Sequence, residues 1–336
     1  DSSVDGSTAG SGPDTIVFDA SLTAAGDATI RLSLFDTGED PGEAGPAAFI
    51  LSSPVTLEGS SGEAGITIAG STNVDVRIFQ VMTGATLRLS WLNLTDGFAT
   101  GMVGRGGAVL NAGTTEVYHC SFSSNRAEAV DPGGYAAGGA IFNDGGQLIM
   151  KNCTLSGNSV FGAGGGGNAL GGALAGNNGV IALTHCTVAS NRCEPGTGGG
   201  VALGHGIYAM ADSSNATLAL LNTIVLGGTG GAYDLFATNM SAGVLVTTGG
   251  GNLMENWTGY VGGVTPATPH LEPLADNGGP TLTHALPTNS PAIDAGITST
   301  LLHDQRGSRY PRIVDGDLDG SRDIDIGAYE LAFLDF

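Results

Sequence analysis

The segment NCTLSGN, residues 152–158, decides the fold, because close copies of it stand thirty-three residues away on both sides. The copies are HCSFSSN at 119–125 and HCTVASN at 185–191. A second motif precedes each copy: GGAVLNAG at 106–113, GGAIFNDGG at 138–146 and GGALAGNNG at 171–179. Two motifs that share one period indicate an array of similar units.

The apolar residues inside each unit have the phase of two short strands separated by a corner. Leu148 and Met150 alternate with period two, and after a three-residue step the alternation resumes at Cys153. Period two places side chains on one face of a strand. One such unit cannot bury its apolar face alone, so equivalent strands must stack about 4.8 Å apart. We therefore predict an all-β fold, a right-handed parallel β-helix whose single-stranded solenoid has coils of about 33 residues.

The repeats also divide the chain, which we interpret as one domain over 1–336. Residues 1–105 contain strands with irregular spacing, and 106–263 contain the regular coils. Pro and Asp become frequent in 264–336, which we expect to cap the open end of the solenoid. The polar stretch 2–13 is expected to be the start of a mature, exported chain.

Residues at equivalent positions should form ladders. Cys120, Cys153 and Cys186 should stack as buried residues. Asn125, Asn158 and Asn191 should lie at one turn, where Asn tolerates a left-handed backbone and its amide can bond the next Asn. The fourth cysteine lies outside this frame. Of the three possible pairings, we favour a Cys186–Cys193 disulfide in an oxidising compartment.

The charge balance excludes some classes of partner. The chain has 32 Asp+Glu against 11 Lys+Arg, a net charge of −21. Binding to nucleic acid needs a basic surface, which is missing here. An anionic polysaccharide would be repelled unless metal ions bridged it. No apolar run approaches the roughly 20 residues of a membrane-spanning helix. An extracellular setting that contains calcium suits this composition.

The acidic run VDGDLDGSRDID at 314–325 is the strongest sequence signal for a ligand. Calcium takes six to eight oxygen ligands, and this stretch offers several carboxylates around Gly320. The run differs from an EF-hand, because Ile326 stands where that motif has Glu. A solvated acidic turn is the alternative. The predicted calcium ligands are Asp315, Asp317, Asp319, Asp323 and Asp325.

The C-terminal third adds an ordered set of motifs: LADNGGPTLTHALPTNSPAIDAG at 274–296, DQRG at 304–307 and DIGAYE at 325–330. With the repeats, they make the chain resemble the bacterial surface β-helix proteins called choice-of-anchor Q domain proteins. That group is similar in pattern to the polymorphic outer-membrane proteins. The resemblance covers roughly 84–330. It implies a pectate-lyase-like solenoid that is secreted and displayed at a cell surface, and no activity is assigned to most members.

Two functions remain open at this stage. The first is an extracellular structural or adhesive protein without catalytic activity, whose partners are other surface proteins, polysaccharide or a second copy of itself. The second is a carbohydrate-active enzyme, either a polysaccharide lyase or a glycoside hydrolase.

The enzyme hypothesis has few residues to rest on. His205 lies in GHG, but it aligns with Gly171 and reads more simply as a ladder substitution. Lys151 is the only lysine and lacks partners suited to a lyase. Carboxylates on successive loops could act as an acid and base pair if they met in one groove. These are Asp131, Asp144 and Asp212.

Overall fold

The computed structural model describes residues 12–33, 45–228, 233–315, 318, 320 and 322–332. These residues form an all-β solenoid with long parallel sheets, which confirms the class that the repeats predict. Among them the one helical segment is the 3₁₀ turn Ala20–Thr23, and no helix is long and apolar enough to cross a membrane.

Four parallel sheets run along the solenoid, and each coil adds one strand to most of them. Sheet I contains Asp14–Val17, Val55–Glu58, Thr86–Ser90, Thr114–Tyr118, Gln147–Lys151, Gly179–Thr184, Ala216–Leu221 and Leu245–Gly250. Sheet II contains Ala28–Arg31, Ile66–Ala69, Leu92–Thr95, Ser121–Ser123, Thr154–Ser156, Thr187–Glu194, Ile224–Gly227, Asn252–Met254, Val264–Pro266, Phe98–Gly101, Arg126–Ala129 and Ser159–Phe161.

The other sheets complete the coil. Sheet III contains Ala47–Leu51, Arg77–Val81, Val109–Asn111, Ile141–Asp144, Leu174–Asn177, Ile207–Ala211, Leu235–Asn239 and Trp257–Thr258. Sheet IV contains Gly104–Arg105, Ala136–Ala137, Ala169–Leu170 and Ala202–Leu203. A short antiparallel pair, Leu274–Ala275 with Thr283–His284, lies outside the coils.

The register explains why alternating residues are apolar. In sheet I, Met150 pairs with Val117 on one side and with Leu183 on the other, and all three are buried. Such columns form the single main core. Neighbouring coils are offset by 33 residues in the middle of the chain, but by 28 or 37 elsewhere. The loops absorb these differences, and the strands of sheet I stay in register from Asp14 onward.

The described residues of 276–330, here called the strap, lie along the side of the coils at the corner between sheets I and II. At the end of the solenoid, Val264–Pro266 adds a strand to sheet II, and Val264 packs against the main core. Tyr260 also packs into this core, and its Oη donates to Thr248 O at 2.6 Å. The predicted cap over 264–336 stays a prediction. The strap has backbone polar groups to satisfy, and the corner offers side chains that can bond them.

Candidate functional site

A column of left-handed residues marks the corner between sheets I and II, with φ between 48° and 58°. This corner column consists of Trp91, His119, Asn152, His185 and Asn222. A left-handed backbone is costly for most residues but tolerated by Asn and His. The column therefore keeps a sharp corner in each coil, and its side chains meet the strap.

Two asparagines of the column bond the strap backbone. Asn152 Nδ2 donates to His303 O at 2.9 Å. Asn222 Nδ2 donates to Ile297 O at 2.7 Å, and Asn222 Oδ1 accepts from Ile297 N at 2.8 Å. The second pair fixes which way the Asn222 amide points. These amides act as a ladder of side chains on which the strap docks.

The DQRG motif docks on the same column. The ring of His119 stacks on Trp91 with centroids 3.9 Å apart, and His119 Nδ1 lies 3.1 Å from Gln305 O. Gln305 Oε1 accepts from Thr154 Oγ1 at 2.7 Å, and Gln305 Nε2 donates to Thr281 Oγ1 at 3.0 Å. Gln305 therefore joins the strap to sheet II and to an earlier part of the strap.

A buried cluster of charged side chains fixes the strap against the coils. Arg312 is fully buried, and its Nη1 lies 3.3 Å from Glu330 Oε2. Arg312 Nη2 donates to Asn152 Oδ1 at 2.8 Å and to Gly327 O at 3.0 Å. The guanidinium thus ties the DIGAYE motif to the corner column. Burial raises the pKa of the Glu330 carboxyl, an effect that the neighbouring Arg312 opposes.

A second buried arginine, Arg306, links separate parts of the strap to one another. Arg306 Nη2 lies 2.6 Å from Asp304 Oδ2, and both side chains are nearly inaccessible. The guanidinium carbon of Arg306 lies 3.8 Å from the ring centroids of both Tyr310 and Tyr329. A desolvated arginine between two aromatic faces gains cation–π energy of about 2 kcal/mol. The DQRG and DIGAYE motifs therefore fasten the strap.

The histidines of the strap interface are held neutral. Burial lowers the pKa of His185 to about 2 and also lowers that of His119 and His284. His185 Nε2 lies 3.1 Å from Asn222 Nδ2, whose orientation Ile297 fixes. Because Asn222 Nδ2 can only donate, His185 must accept at Nε2 and cannot be the imidazolium form.

We expect His185→Asn to reduce the loss of stability in acid. A histidine whose pKa is lowered by folding contributes its full stabilisation above its unfolded pKa of about 6.5. This stabilisation is lost as the pH falls, and for His185 the loss is about 2 kcal/mol at pH 5. Asn also suits this left-handed position, as at residues 152 and 222. The melting temperature should fall less between pH 7 and pH 5 in the variant than in the wild type.

His270→Asn is the matched control, because His270 is also left-handed (φ 52°) but exposed. The melting temperature of His270→Asn should change with pH as that of the wild type does. Asp325 acts in the opposite direction. Burial raises its pKa to about 7, so the stability that its neutral form provides is lost as the pH rises. Parallel curves for His185→Asn and the wild type would refute the role of His185.

The ladder asparagines are buried and bond to one another. Asn125 Nδ2 donates to Asn158 Oδ1 at 3.0 Å, and Asn158 Nδ2 donates to Asn191 Oδ1 at 2.9 Å. Each acceptor oxygen also takes the backbone N–H of the preceding Asn. Our placement of Asn in the left-handed position is wrong, because that position belongs to the residue before it. The left-handed residues are Ser124, Gly157 and Ser190.

The three ladder cysteines are fully buried next to strands of sheet II that pair in register. All four cysteines are free thiols, so the Cys186–Cys193 disulfide that we favoured is absent. Cys186 lies just before the strand Thr187–Glu194 and packs in the main core, whereas Cys193 lies within this strand, beyond the left-handed Ser190. A disulfide requires Cα atoms within about 7 Å. Cys193 instead packs with Val160 in a smaller cluster.

The structure places the predicted calcium ligands in different surroundings. Asp317 and Asp319 lie outside the described residues. Asp325 is buried, and its carboxylate accepts the backbone N–H groups of Asp294 at 2.8 Å and Leu331 at 2.6 Å. Asp325 therefore belongs to the strap interior, and its role as a calcium ligand stays a prediction. Asp315 Oδ2 accepts from Gly320 N at 3.1 Å, and Asp323 is exposed.

Within the part of the chain that the structure describes, no group of three His, Cys, Asp or Glu is gathered as a metal site. Calcium binding by the acidic run stays a prediction. Besides the buried Asp325, the predicted ligands that the structure describes are the half-buried Asp315 and the exposed Asp323.

The enzyme candidates are scattered rather than gathered. His205 is buried, and its Nδ1 accepts from Cys193 N at 3.3 Å. The register pairs Leu174 with Ile207, so His205 is equivalent to Gly172 and not to Gly171. Asp131 is exposed in a turn.

The other two carboxylates lie near a groove on the opposite side of the coil from the strap's motifs. Asp144 Oδ2 lies 3.8 Å from Arg105 Nη1, and Asp212 lines the groove. This lateral groove runs between sheets III and IV and encloses about 430 Å³. Its floor includes the rings of Phe142 and Tyr208, and its sides include Leu170.

Phe142 and Tyr208 belong to a largely buried column on the outer face of sheet III, which is apolar over five successive coils. In register, the column is Leu110, Phe142, Ala175, Tyr208 and Phe236. The rings of Tyr208 and Phe236 stack with centroids 5.9 Å apart and planes 7° apart. Outward positions of a solenoid usually carry polar residues, so this apolar column distinguishes one side of the molecule.

The rim of the groove is polar: Asp212 supplies a carboxylate, and Asn168 and Asn177 supply amides that both donate and accept. Asn177 pairs in register with Asp144 on one neighbouring strand and with Met210 on the other. No described residue donates a hydrogen bond to its buried Oδ1. Asn168 Oδ1 accepts from Val201 N at 3.0 Å. Arg105 is the cation nearby, and it is occupied by Asp144 and by the ring of Tyr135.

Sequence reasoning did not find the groove. A usable signal exists, because the strands of the GGA motif are apolar at adjacent positions, as in Ile141–Phe142 and Ile207–Tyr208. A strand with one solvated face should alternate instead. Comparison with protein-family models, with curated proteins and with solved structures finds no match for this chain.

Proposed function

We propose that this chain is a secreted structural or adhesive protein of a bacterial surface, which binds its partner in the lateral groove. We also propose that the solenoid is a right-handed β-helix with coils near 33 residues, as the central register steps support. The observation that carries the function is the groove itself, whose lining combines Tyr135, Phe142, Tyr208, Leu170 and Met210 with a few polar side chains. Concave sites lined mainly by apolar and aromatic side chains with a few polar groups are typical of ligand binding.

Rigidity supports this proposal. The strap bonds the side of several coils, and buried amides bond between successive coils. A groove built on such a frame keeps its shape when empty, so binding costs little conformational entropy. Calcium at the acidic run would stiffen the strap further, and it belongs to the same proposal.

The test is binding of the purified protein to isolated bacterial cell envelopes. Asn177→Trp adds a large ring inside the groove and should weaken binding at least tenfold, about 1.4 kcal/mol. Val246→Trp adds the same ring on an exposed position of sheet I and should leave binding unchanged. Equal binding by both variants and the wild type would refute the groove as the adhesive surface.

A carbohydrate-active enzyme is the second candidate, because Asp212 lines the groove and Asp144 lies nearby. Asp212 lies two residues after Met210, and the register places Met210 two strands from Asp144, about 10 Å along the axis. Carboxyl groups of inverting glycosidases lie roughly 6.5–9.5 Å apart. Release of oligosaccharides by the wild type, lost in Asp212→Asn, would favour this function over adhesion alone.

A further inference from the structure

We infer that the strap makes five successive coils open and close as one unit, although the sheets connect each coil only to its neighbours. In a solenoid, stability is a sum over single repeats and the interfaces between adjacent repeats, so coils can unfold one at a time from an end. Sheet I shows this pattern, since Gln147–Lys151 pairs with Thr114–Tyr118 and Gly179–Thr184. A segment that bonds coils lying far apart along the axis removes this independence.

The strap is hydrogen-bonded to every coil from the third to the seventh, counted by the strands of sheet I. In the third coil, Asn93 Oδ1 accepts from Leu282 N at 3.1 Å, and in the seventh, Asn222 Oδ1 accepts from Ile297 N at 2.8 Å. The coils between them each bond the strap through at least one residue: His119, Asn152 and Thr187. Adjacent strands lie about 4.8 Å apart, so these bonds extend over about 19 Å of the solenoid axis.

The strap crosses these coils more than once. In chain order it bonds Asn93 first and Asn222 later, and it then returns to Asn152. After this return it runs forward again, where Gly327 N donates to Asn222 O at 2.9 Å. The strap therefore does not follow the coils in sequence, as a simple extension of the solenoid would. It connects coils that share no strand pairing.

The crossings are also bonded to one another, so the strap forms one layer. Gln305 N donates to Ala328 O at 2.9 Å. Arg306 is buried where the crossings meet, and its Nη2 donates to Glu330 O at 2.6 Å. A buried polar group that loses its partner without reaching water is costly. An opening that frees one coil from this layer must therefore break bonds that the layer makes with other coils.

Native-state hydrogen exchange of the wild type, read by mass spectrometry, measures how often each coil opens. Leu92–Thr95 in the third coil and Ala216–Leu221 in the seventh should open with equilibrium constants that agree within about threefold. The first coil lies beyond the bonded set, and among the described strands its Asp14–Val17 pairs with Val55–Glu58 alone. Asp14–Val17 should open at least about tenfold more often. A steady rise in opening from the fifth coil to the seventh would overturn the inference.

The same measurement on two variants separates loss of coupling from loss of stability. Gln305→Ala combined with Arg312→Met removes the side-chain bonds from the strap to Thr154 and Asn152. In this double variant the seventh coil should open at least about tenfold more often than the fifth, because coils then depend on their neighbours alone. Asn158→Ala is the matched control, since it breaks bonds between coils and leaves the strap bonds in place. Opening of all five coils should rise together in this control.

Gln305→Ala alone keeps the bond between Arg312 and Asn152, which guards against a double variant that does not fold. It should show the same gradient between the fifth and seventh coils at a smaller size, about threefold. Arg309→Met changes an exposed residue of the strap and should reproduce the wild type. Uniform opening in both Gln305 variants, or a gradient in Asn158→Ala, would show that the strap does not couple the coils.

Discussion

Arg312→Met should lower the free energy of unfolding by about 3 to 5 kcal/mol at pH 8, because it leaves Glu330 buried without its partner. The side chains of both residues are at most 1% exposed. The variant also leaves Asn152 Oδ1 and Gly327 O without the donor that Arg312 supplies. Denaturant unfolding measures the loss.

Arg309→Met is the matched control, because Arg309 pairs with Glu63 on the surface, where the two side chains are 74% and 72% exposed. An exposed pair contributes at most about 1 kcal/mol. Limited proteolysis should cut the strap of Arg312→Met before the coils. An effect of Arg312→Met no larger than that of Arg309→Met would show that the buried cluster does not hold the strap.

Asn158→Ala should cost about 3 to 5 kcal/mol, because it breaks both directions of the inner ladder. Asn158 Oδ1 accepts from the backbone N–H and the side chain of Asn125, and its Nδ2 donates to Phe122 O and Asn191 Oδ1. Each buried group left without a partner costs about 1 to 3 kcal/mol. Thermal and denaturant unfolding measure the change.

Asn158→Asp provides a second test, since it keeps the acceptor but loses the donor. It should also be strongly destabilising, because a buried carboxylate replaces a neutral amide. Asn73→Ala removes an exposed side chain and should shift stability by less than about 0.5 kcal/mol. A cost below about 1 kcal/mol for both Asn158 variants would mean that water replaces the ladder bonds.

The repeat alone was enough to place equivalent residues of the coils. Asn125, Asn158 and Asn191 are thirty-three residues apart, and the structure joins them through their amides. The turn itself was placed one residue late, at Asn instead of at Ser124 and its equivalents. Spacing states which residues are equivalent, but it does not state which of two neighbours bends the backbone.

The strap motifs were visible in the sequence, but their location was not. His284 contacts Ser156 across 128 residues, and Leu282 contacts Asn93 across 189. Asp325 was predicted as one calcium ligand of the acidic run, and its carboxylate is buried against backbone N–H groups. No local pattern distinguishes the buried carboxylate of this run from the exposed Asp323.

The sequence by itself determined the all-β class and the inward face of the strands, because the same local alternation of apolar residues recurs in successive coils. Only the tertiary structure decided where the strap docks and where the groove lies. Both depend on residues that do not repeat, such as Arg312, Tyr208 and Asp212. Their neighbours come from other coils, so stacking and docking bring together groups that no spacing along the chain relates.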